Sequence, residues 1–396
     1  MPDSLVIHLQ NHTDSNEVFA YITGLAIQAN GARVLLKANG CDLYFPQNPT
    51  DSSAILQPLT EDCAIPLGAP GNTVRVTIPQ IAGGRIWFSR GPRRLIFLLN
   101  PGGPTGPALV EPSVLNPTDP NAAVDFAFAE FTLNSDQLFA NISYVDFVSR
   151  LPIALTLQRA GDMQAVQHVS GMPTNGLNTV CDGLRAQASR DGRPWDKLIV
   201  TDPADASGGT PLRALSPTHG DAVGASFTGY FEPYVEQVWA KYSSGRSTAS
   251  INTQAAPGIV RGAVRGDALF YFGNEGFVKP TTADILGCNT GPFTTGSSAT
   301  RNAIIPRLAA ALQRSTLLEV ADQPSEPSTF YKVDPTNHYC RIVHAANLDG
   351  KGYAFAYDDV QPDGGADQSG KANAGDPAYF LVAVGGGAAY AGDRLP

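Results

Sequence analysis

Charged residues are scarce in this sequence, since Asp, Glu, Lys and Arg together make up 16% of its 396 residues. The net charge is −9, so the chain lacks the basic excess that attracts a nucleic acid. No apolar run approaches the roughly 18 residues that a membrane-spanning helix needs. With 43% hydrophobic residues, the chain has enough apolar side chains for a folded core. We therefore expect a globular protein with no nucleic-acid partner and no membrane partner.

Cysteine is also sparse, and its spacing is uninformative about metals. The five residues (Cys41, Cys63, Cys181, Cys288 and Cys340) include no CxxC pair, which excludes the usual zinc-finger spacings. The six histidines (His8, His12, His168, His219, His338 and His344) show no metal-ligand spacing either. We expect neither a metal nor an organic cofactor. Cys41 and Cys63 lie in one β-rich segment, so two readings stay open: a disulfide between them, or five free buried thiols.

Several common catalytic motifs are missing. The sequence contains no HExxH, no GxGxxG, no GxxxxGK[ST] and no GxSxG. These absences argue against zinc peptidases, dinucleotide-binding enzymes, P-loop enzymes and α/β-hydrolases. A Ser–His–Asp constellation stays open because its members need not be neighbours in the sequence, although no pattern favours it.

The first residues, MPDSLVIHLQNHT, lack the basic and apolar regions of a signal peptide. Either the protein is intracellular or a signal peptide has been removed. Two sequons, at Asn11 and Asn141, would accept glycans in a eukaryotic secretory pathway.

Glycine and proline are abundant, with 40 and 31 residues, and they separate short apolar segments. Between residues 4 and 110 these segments alternate as strands do, which is typical of a sandwich or barrel. Strand patterns also occur later, at residues 151–158, 198–202, 268–273, 352–360 and 378–386. Helical periodicity appears at residues 177–189, 230–242 and 300–318, and a further helix is predicted at 335–346.

The order of these elements predicts a β-rich α+β fold. We expect a discontinuous β-barrel domain made of residues 1–155 and 348–396, because the last strands should rejoin the first sheets. Residues 156–347 are predicted to form a mixed α/β domain.

Residues 121–149 are predicted to form a β-hairpin with one carboxylate on each arm. Arms at 124–134 and 142–148, with a turn near Leu138, place Glu130 and Asp146 opposite each other on one face. Such opposed side chains have Cβ atoms about 5 Å apart. A carboxylate within an apolar alternation is costly unless it has a task or a partner. Two together are the groups that glycoside hydrolysis needs.

Other candidates surround this pair, each with a structural alternative. Thr132 and Asn134 continue the face of Glu130, which suggests that the strand passes from a core into a wet cleft. Phe139 is either a stacking surface for sugar rings or a core residue. A further polar candidate is Ser143, which would need a bulge or turn to reach the cleft. Glu111 and Asp358 are acidic candidates, and the alternative for both is that they cap turns or bind arginine.

The segments GRIWFSRG, LVEPSVLNPTDPNA, FAEFTLN, NISYVDFVS and GYAFAYDDV follow one another along nearly the whole chain. They resemble glycoside hydrolase family 64, the laminaripentaose-producing β-1,3-glucanases with a thaumatin-like β-barrel. The resemblance implies that Glu130 is the general acid and Asp146 the general base of an inverting reaction. It also implies substrate-binding roles for Thr132, Asn134 and Ser143. Phe139 stands where the family commonly has tryptophan.

The resemblance further implies an endo-acting, secreted and monomeric enzyme with a wide groove between its two domains. Its substrate would be β-1,3-glucan, and its products short laminari-oligosaccharides, laminaripentaose among them. Two alternatives remain at this point: a non-catalytic thaumatin-like protein that binds β-glucan, and a hydrolase of another polysaccharide.

Overall fold

The computed structural model describes residues 3–104, 106–162, 166–205, 208–266 and 268–386. Strands dominate these residues and five α-helices accompany them, which confirms the predicted β-rich α+β class. The N-terminal strands are β1 Ser4–Asn11, β2 Val18–Ala26, β3 Ala32–Leu36, β4 Leu43–Tyr44, β5 Gln57–Pro58, β6 Ile65–Pro66, β7 Thr73–Pro79, β8 Ile81–Arg90, β9 Leu98–Asn100 and β10 Ala108–Val110.

The central and C-terminal strands follow in the same order. They are β11 Asp125–Leu133, β12 Leu138–Ile142, β13 Phe147–Ser149, β14 Ile153–Arg159, β15 Val166–Val169, β16 Ile199–Thr201, β17 Pro211–Leu215, β18 Ala249–Asn252, β19 Ile259–Val264, β20 Phe270–Phe272, β21 Glu275–Phe277, β22 Asp322–Gln323, β23 Lys371–Ala374 and β24 Pro377–Val384. The helices are α1 Gly176–Asp191, α2 Glu232–Ser243, α3 Thr282–Gly287, α4 Ala299–Gln313 and α5 His338–Ala346.

Two large sheets contain most of the N-terminal strands. One, here called the site sheet, has the order β23-β12-β11-β8-β2-β3-β4, with β6 paired to β2. The other has the order β15-β14-β24-β1-β7. In this second sheet β24 runs parallel to β1, and in the site sheet β23 pairs with β12. The strand predicted at residues 378–386 therefore rejoins a sheet of N-terminal strands as β24, whereas β23 was not predicted.

Smaller sheets lie in the middle of the chain. They have the orders β13-β17-β16 and β21-β20-β19-β18-β22, and a third small sheet, β10-β9-β5, belongs to the N-terminal part. The domain boundary predicted at residue 155 falls inside β14. The predicted division into two domains otherwise stays a prediction, and its last residues, 387–396, lie outside the described part of the chain.

Most predicted helices form with shifted ends. The helix predicted at 300–318 ends at Gln313, because Ser315 adopts a left-handed backbone conformation with φ of 54°. The helix predicted at 335–346 begins at His338, where the side chain of Asn337 accepts a hydrogen bond from the N–H of Cys340 at 3.1 Å.

Two predicted strands are wrong. Residues 352–360 are mostly turns, and among them only Tyr353 makes a β-bridge, to Ser143. Residues 142–148 do not continue a strand, because their backbone groups bond to other segments: the N–H of Tyr144 donates to the carbonyl of Tyr353 at 2.8 Å. Turns satisfy these backbone groups in place of a sheet ladder.

A cluster of aromatic side chains packs on the face of the site sheet formed by Trp87, Phe126 and Phe128. Trp87 of β8 contacts Phe126 and Phe128 of β11 and Phe97, and Phe147 of β13 packs on both β11 rings. Burial of these rings supplies a large apolar area, and their tilted and edge-on geometry adds to it. The strands β8 and β11 are therefore held firmly where they carry the candidate site.

The five cysteines are free thiols, so Cys41 and Cys63 form no disulfide in this structure. Both sequon asparagines are buried: Asn11 is fully inaccessible and Asn141 is 6% exposed. Neither amide can carry a glycan in the folded chain. Within the described residues, no helix has the length and apolarity needed to cross a membrane.

Candidate active site

Glu130 lies in the middle of the site sheet, between an asparagine and an arginine. It pairs with Asn141 on β12 and with Arg85 on β8, and Arg85 pairs in turn with Thr23 on β2. Directly opposed residues of antiparallel strands point to the same face of the sheet. These four side chains therefore form one row across four strands, here called the Glu130 row.

The face of β11 that carries Glu130 changes from apolar to polar along the strand. Phe126 and Phe128 are buried on this face, whereas Glu130 and Thr132 are partly exposed. The Glu130 side chain is 36% exposed. The alternation in the sequence predicts this passage from core to solvent, and the structure confirms it.

Arg85 is shared between two glutamates. Its Nη1 lies 2.6 Å from Oε2 of Glu111, and its Nη2 lies 3.3 Å from Oε1 of Glu130. The hydroxyl of Thr23 donates to Oε1 of Glu111 at 2.9 Å and accepts from the indole N–H of Trp87 at 3.1 Å. Glu111 anchors Arg85, because its contact to Arg85 is the shorter of the two and because Thr23 also holds the Glu111 carboxylate. Glu130 is thus oriented by an arginine while it remains accessible.

An open depression of about 330 Å³ lies over the Glu130 row. Its lining residues are Arg33, Gly83, Gly84, Arg85, Glu111, Glu130, Phe131, Thr132, Phe139 and Asn141. The pairing of β8 with β11 is irregular beside Gly84, and a Cβ at Gly84 would come within 2.5 Å of the Phe131 ring. Of the predicted site residues, the structure brings Glu111, Thr132 and Phe139 together with Glu130 here.

Asp146 lies in the connection between β12 and β13. Its Oδ1 is 2.7 Å from Nε2 of His219, a residue of the 3-10 helix Pro217–Val223. Its backbone carbonyl accepts the N–H of Ser216 at 2.9 Å. The Asp146 side chain is 38% exposed. An imidazole therefore orients this carboxylate while one side of it stays open to solvent.

The predicted pairing of Glu130 with Asp146 across the hairpin is wrong. The turn lies at residues 134–137, because Oδ1 of Asn134 accepts the N–H groups of Asp136 and Gln137, both at 2.9 Å. This turn places Asn141 opposite Glu130. The two carboxylates are therefore carried by a strand and by a connection, and not by the two arms of one hairpin.

Hydrogen-bonded tyrosines connect the surroundings of the two carboxylates. Tyr144 donates its N–H to the carbonyl of Tyr353 and accepts the hydroxyl of Tyr339 at 2.7 Å on its own carbonyl. Burial raises the pKa of Tyr353, and nearby negative charges including Glu130 raise it further. Burial likewise raises the pKa of Tyr339, with Asp146 among the charges that add to the rise. Glu130 therefore affects the pKa of Tyr353 and Asp146 that of Tyr339, and both tyrosines are hydrogen bonded to the backbone of Tyr144.

Asn134 and Ser143 are not among the residues that line the depression. The side-chain oxygen of Asn134 is used in the hairpin turn. Ser143 lines a small internal cavity of about 10 Å³ beside Phe128 and Phe147. Their implied roles in substrate binding stay predictions.

The prediction of a substrate contact by Asp358 is corrected by its burial. Its side chain is fully inaccessible, with Oδ1 3.0 Å from Nη2 of Arg314 and Oδ2 2.9 Å from Nε2 of His344. Burial alone would raise the pKa of Asp358, but His344 and Arg314 outweigh burial and hold that pKa below its usual value. Asp358 therefore holds the 352–360 turns to α4 and α5.

Sequence reasoning missed Arg85, His219 and Asn141. Arg85 stands two residues before Trp87 on an alternating strand, so the sequence predicts which face of the strand carries it. The sequence does not predict its partner, because alternation does not determine the order of strands in a sheet. His219 comes from a segment 73 residues after Asp146. Asn141 was noted only as a sequon, whereas the turn residues Asn134, Ser135 and Asp136 would have given its register.

Within the described residues, no group of three or more His, Cys, Asp or Glu is arranged to hold a metal ion.

The sequence model of glycoside hydrolase family 64, described as β-1,3-glucanase, matches residues 3–384. The chain belongs to this family. Proteins similar to this chain include glucan endo-1,3-β-glucosidases from Cellulosimicrobium cellulans and from Arthrobacter sp. (strain YCWD3). Each is 31% identical over 295 residues, which is 73% of this chain and 50% of the relative. The chain therefore matches only half the length of these curated relatives.

Solved family 64 structures have the same fold. A laminaripentaose-producing β-1,3-glucanase in complex with laminaritetraose superposes with a TM-score of 0.81 at 31% identity, covering 97% of this chain and 99% of that one. A β-1,3-glucanase domain from Clostridium beijerinckii superposes with a TM-score of 0.73 at 22% identity, covering 96% and 98%.

Proposed function

We propose that this protein is an endo-acting hydrolase of β-1,3-glucan in which Glu130 is the general acid and Asp146 the general base. The observation that carries the proposal is a pair of partly exposed carboxylates, each oriented by a basic side chain. Membership of family 64 and the likeness to a laminaripentaose-producing β-1,3-glucanase that binds laminaritetraose support the reaction and its substrate.

In this reaction, protonated Glu130 donates its proton to the glycosidic oxygen as the bond from that oxygen to the anomeric carbon breaks. Asp146 accepts a proton from a water molecule, and the water oxygen bonds to the anomeric carbon from the opposite face. Room for this water requires that the carboxyl groups of an inverting pair stand roughly 6.5–9.5 Å apart. Placing the two acids on separate elements, and not on opposed strand positions, suits that wider spacing.

Each of the two acids is oriented by one basic partner. His219 contacts only Oδ1 of Asp146, and no hydrogen bond to Oδ2 is found in the described part of the chain. Oδ2 is therefore the oxygen that accepts the proton of the attacking water. Glu111 draws the guanidinium of Arg85 to itself at 2.6 Å, so that Arg85 steers Glu130 from one side.

The glucan lies in the depression over the Glu130 row. Phe139 offers a ring to one sugar face, and the hydroxyl of Thr132 hydrogen bonds to the sugar. The resemblance to family 64 adds Asn134 and Ser143 as further contacts. The products are short laminari-oligosaccharides, with laminaripentaose among them because a similar glucanase of known structure produces it.

The same proposal includes four further properties: a thaumatin-like barrel, a groove that continues from the depression, secretion and a monomeric state. A polymeric glucan is too large to enter a cell, which supports an extracellular site of action. An open depression, rather than an enclosed pocket, suits cleavage within a chain.

Incubation of the protein with laminarin, followed at once by proton NMR of the products, tests this function. Release of β-1,3-linked oligosaccharides whose new reducing ends are first α anomers is expected, because inversion converts the β linkage into an α product. Glu130→Gln should abolish most of the turnover while the protein still folds. Near-normal cleavage by Glu130→Gln, or no release of sugar by the unaltered protein, would contradict the proposal.

A further inference from the structure

Two polar side chains at the depression have nitrogen atoms with no hydrogen-bond partner in the described part of the chain. Nδ2 of Asn141 and Nε of Arg33 are buried and have no hydrogen-bond partner among the described residues. Asn141 as a whole is 6% exposed. A buried donor left unpaired costs on the order of 1–3 kcal/mol, so native proteins rarely keep one without a reason.

Both side chains project from the face of the site sheet that carries Glu130. Asn141 is the direct neighbour of Glu130 on β12. Arg33 pairs with Leu25 on β2, two residues beyond Thr23 of the Glu130 row, which keeps it on the same face. Both residues line the depression. Both residues therefore border the cavity in which the substrate is proposed to bind.

Their positions on the sheet are far apart. Asn141 on β12 and Arg33 on β3 are separated by four strand spacings of about 4.8 Å, or roughly 19 Å. Even with the long Arg33 side chain leaning toward Glu130, this span exceeds one sugar ring. The two donors are placed to meet different sugar units of a glucan that crosses the strands.

We propose that Asn141 and Arg33 are substrate-binding residues of two different subsites, which donate hydrogen bonds to hydroxyl groups of separate glucosyl units of one β-1,3-glucan chain. Asn141 binds the unit beside Glu130, and Arg33 binds a unit farther along the chain. This assignment rests on the proposed function. A neutral sugar suits these donors because its hydroxyl oxygens accept hydrogen bonds without bringing charge beside Glu111 and Glu130.

The test is calorimetric binding of laminaribiose and laminarihexaose to protein that already carries Glu130→Gln, so that no ligand is consumed. In that background Asn141→Asp removes the donor at constant shape, and Arg33→Met removes the guanidinium but keeps an apolar stem. Arg261→Met is the matched control, since Arg261 is exposed on β19 of another sheet. Thermal unfolding of each variant is measured alongside, and Asn141→Ser replaces Asn141→Asp should the latter not fold.

Loss of Asn141 should weaken binding of both ligands by roughly tenfold or more, because an unmet hydrogen bond of this kind is worth that much. Loss of Arg33 should weaken laminarihexaose binding by a similar factor and leave laminaribiose unchanged. Binding within twofold of the background for both variants, with altered unfolding temperatures only, would assign Asn141 and Arg33 to structure and overturn the inference. Failure of the unaltered protein to bind or cleave either glucan would overturn the proposed function as well.

Discussion

Two aspartate–histidine pairs in this protein have nearly the same local geometry and different surroundings. Oδ1 of Asp146 lies 2.7 Å from Nε2 of His219, and Oδ2 of Asp358 lies 2.9 Å from Nε2 of His344. The Asp146 side chain is 38% exposed, whereas that of Asp358 is completely buried. Exposure, and not the histidine partner, therefore separates a carboxylate that can act on a substrate from one that holds the fold.

The two carboxylates also differ in whether the second oxygen, the one not bonded to histidine, has a protein partner. At Asp358 the protein occupies both oxygens, because Arg314 binds Oδ1, and the N–H of Ala354 donates to Oδ2 at 2.9 Å beside His344. At Asp146 only Oδ1 has a side-chain partner in the described residues. A carboxylate with an unused and accessible oxygen can take a proton from water.

The largest expected effect is on activity, at the exposed pair. Asp146→Asn keeps the shape of the side chain but removes the base, so the turnover number on laminarin should fall by about 10²–10⁴-fold. The free energy of unfolding should change by less than about 0.5 kcal/mol, because the residue is accessible. Rates of reducing-sugar release and urea unfolding curves measure the two quantities. A variant that unfolds easily but retains its activity would reverse the roles of the two pairs.

The matching change at the buried pair should affect stability. Asp358→Asn leaves Arg314 buried with its charge uncompensated, which should lower the free energy of unfolding by about 3–5 kcal/mol. Urea unfolding followed by tryptophan fluorescence measures this loss. Specific activity per folded molecule should stay close to that of the unaltered protein at low temperature. A loss of activity without a loss of stability would place Asp358 in the active site after all.

A smaller effect is expected when the two histidines are changed. His219→Ala should lower the turnover number by roughly tenfold with little change in KM, because Asp146 loses the group that orients it. His219→Gln should restore part of the rate, since its amide N–H can donate to Oδ1. His344→Ala should instead lower the unfolding temperature and leave the kinetics intact. Equal kinetic losses in His219→Ala and His344→Ala would remove the distinction between the pairs.

The smallest expected effect is the pH dependence of stability, which the buried pair should dominate. The pKa of Asp358 is lowered, so its contribution is present above about pH 3.9 and is lost as the pH falls through the folded value. Burial would lower the pKa of His344, but the charge of Asp358 outweighs burial and raises it. The His344 contribution is therefore complete below about pH 6.5 and is lost as the pH rises through the raised value.

Stability should therefore be greatest between about pH 4 and pH 6.5. Unfolding temperatures measured across this range would show the maximum. In His344→Gln the decline on the alkaline side should become shallower, because the group whose raised pKa causes that decline is removed. An identical profile for His344→Gln and the unaltered protein would show that the buried pair does not control it.

The strand that carries Glu130 was predictable because alternation is a local property. Phe126, Phe128, Glu130 and Thr132 fall on one face through the two-residue period of a strand, and the change from aromatic to polar residues marks the edge of the core. The partner of Glu130 was predicted incorrectly because a hairpin register depends on the turn. A turn near Leu138, a buried residue, would put Asp146 opposite Glu130, whereas the turn at residues 134–137 puts Asn141 there.

By itself the sequence determined the β-rich class, the family, the strand of Glu130 and the two acids proposed for catalysis, because these follow from local periodicity and from motifs of adjacent residues. Only the tertiary structure decided that Asp358 is buried and that Asn141 and Arg33 line one depression. It alone also decided that Arg85, held by Glu111, contacts Glu130, and that His219 hydrogen bonds to Asp146. These relations join segments that are tens to hundreds of residues apart, and they are fixed by strand order and packing. Neither is encoded in any short stretch of the chain.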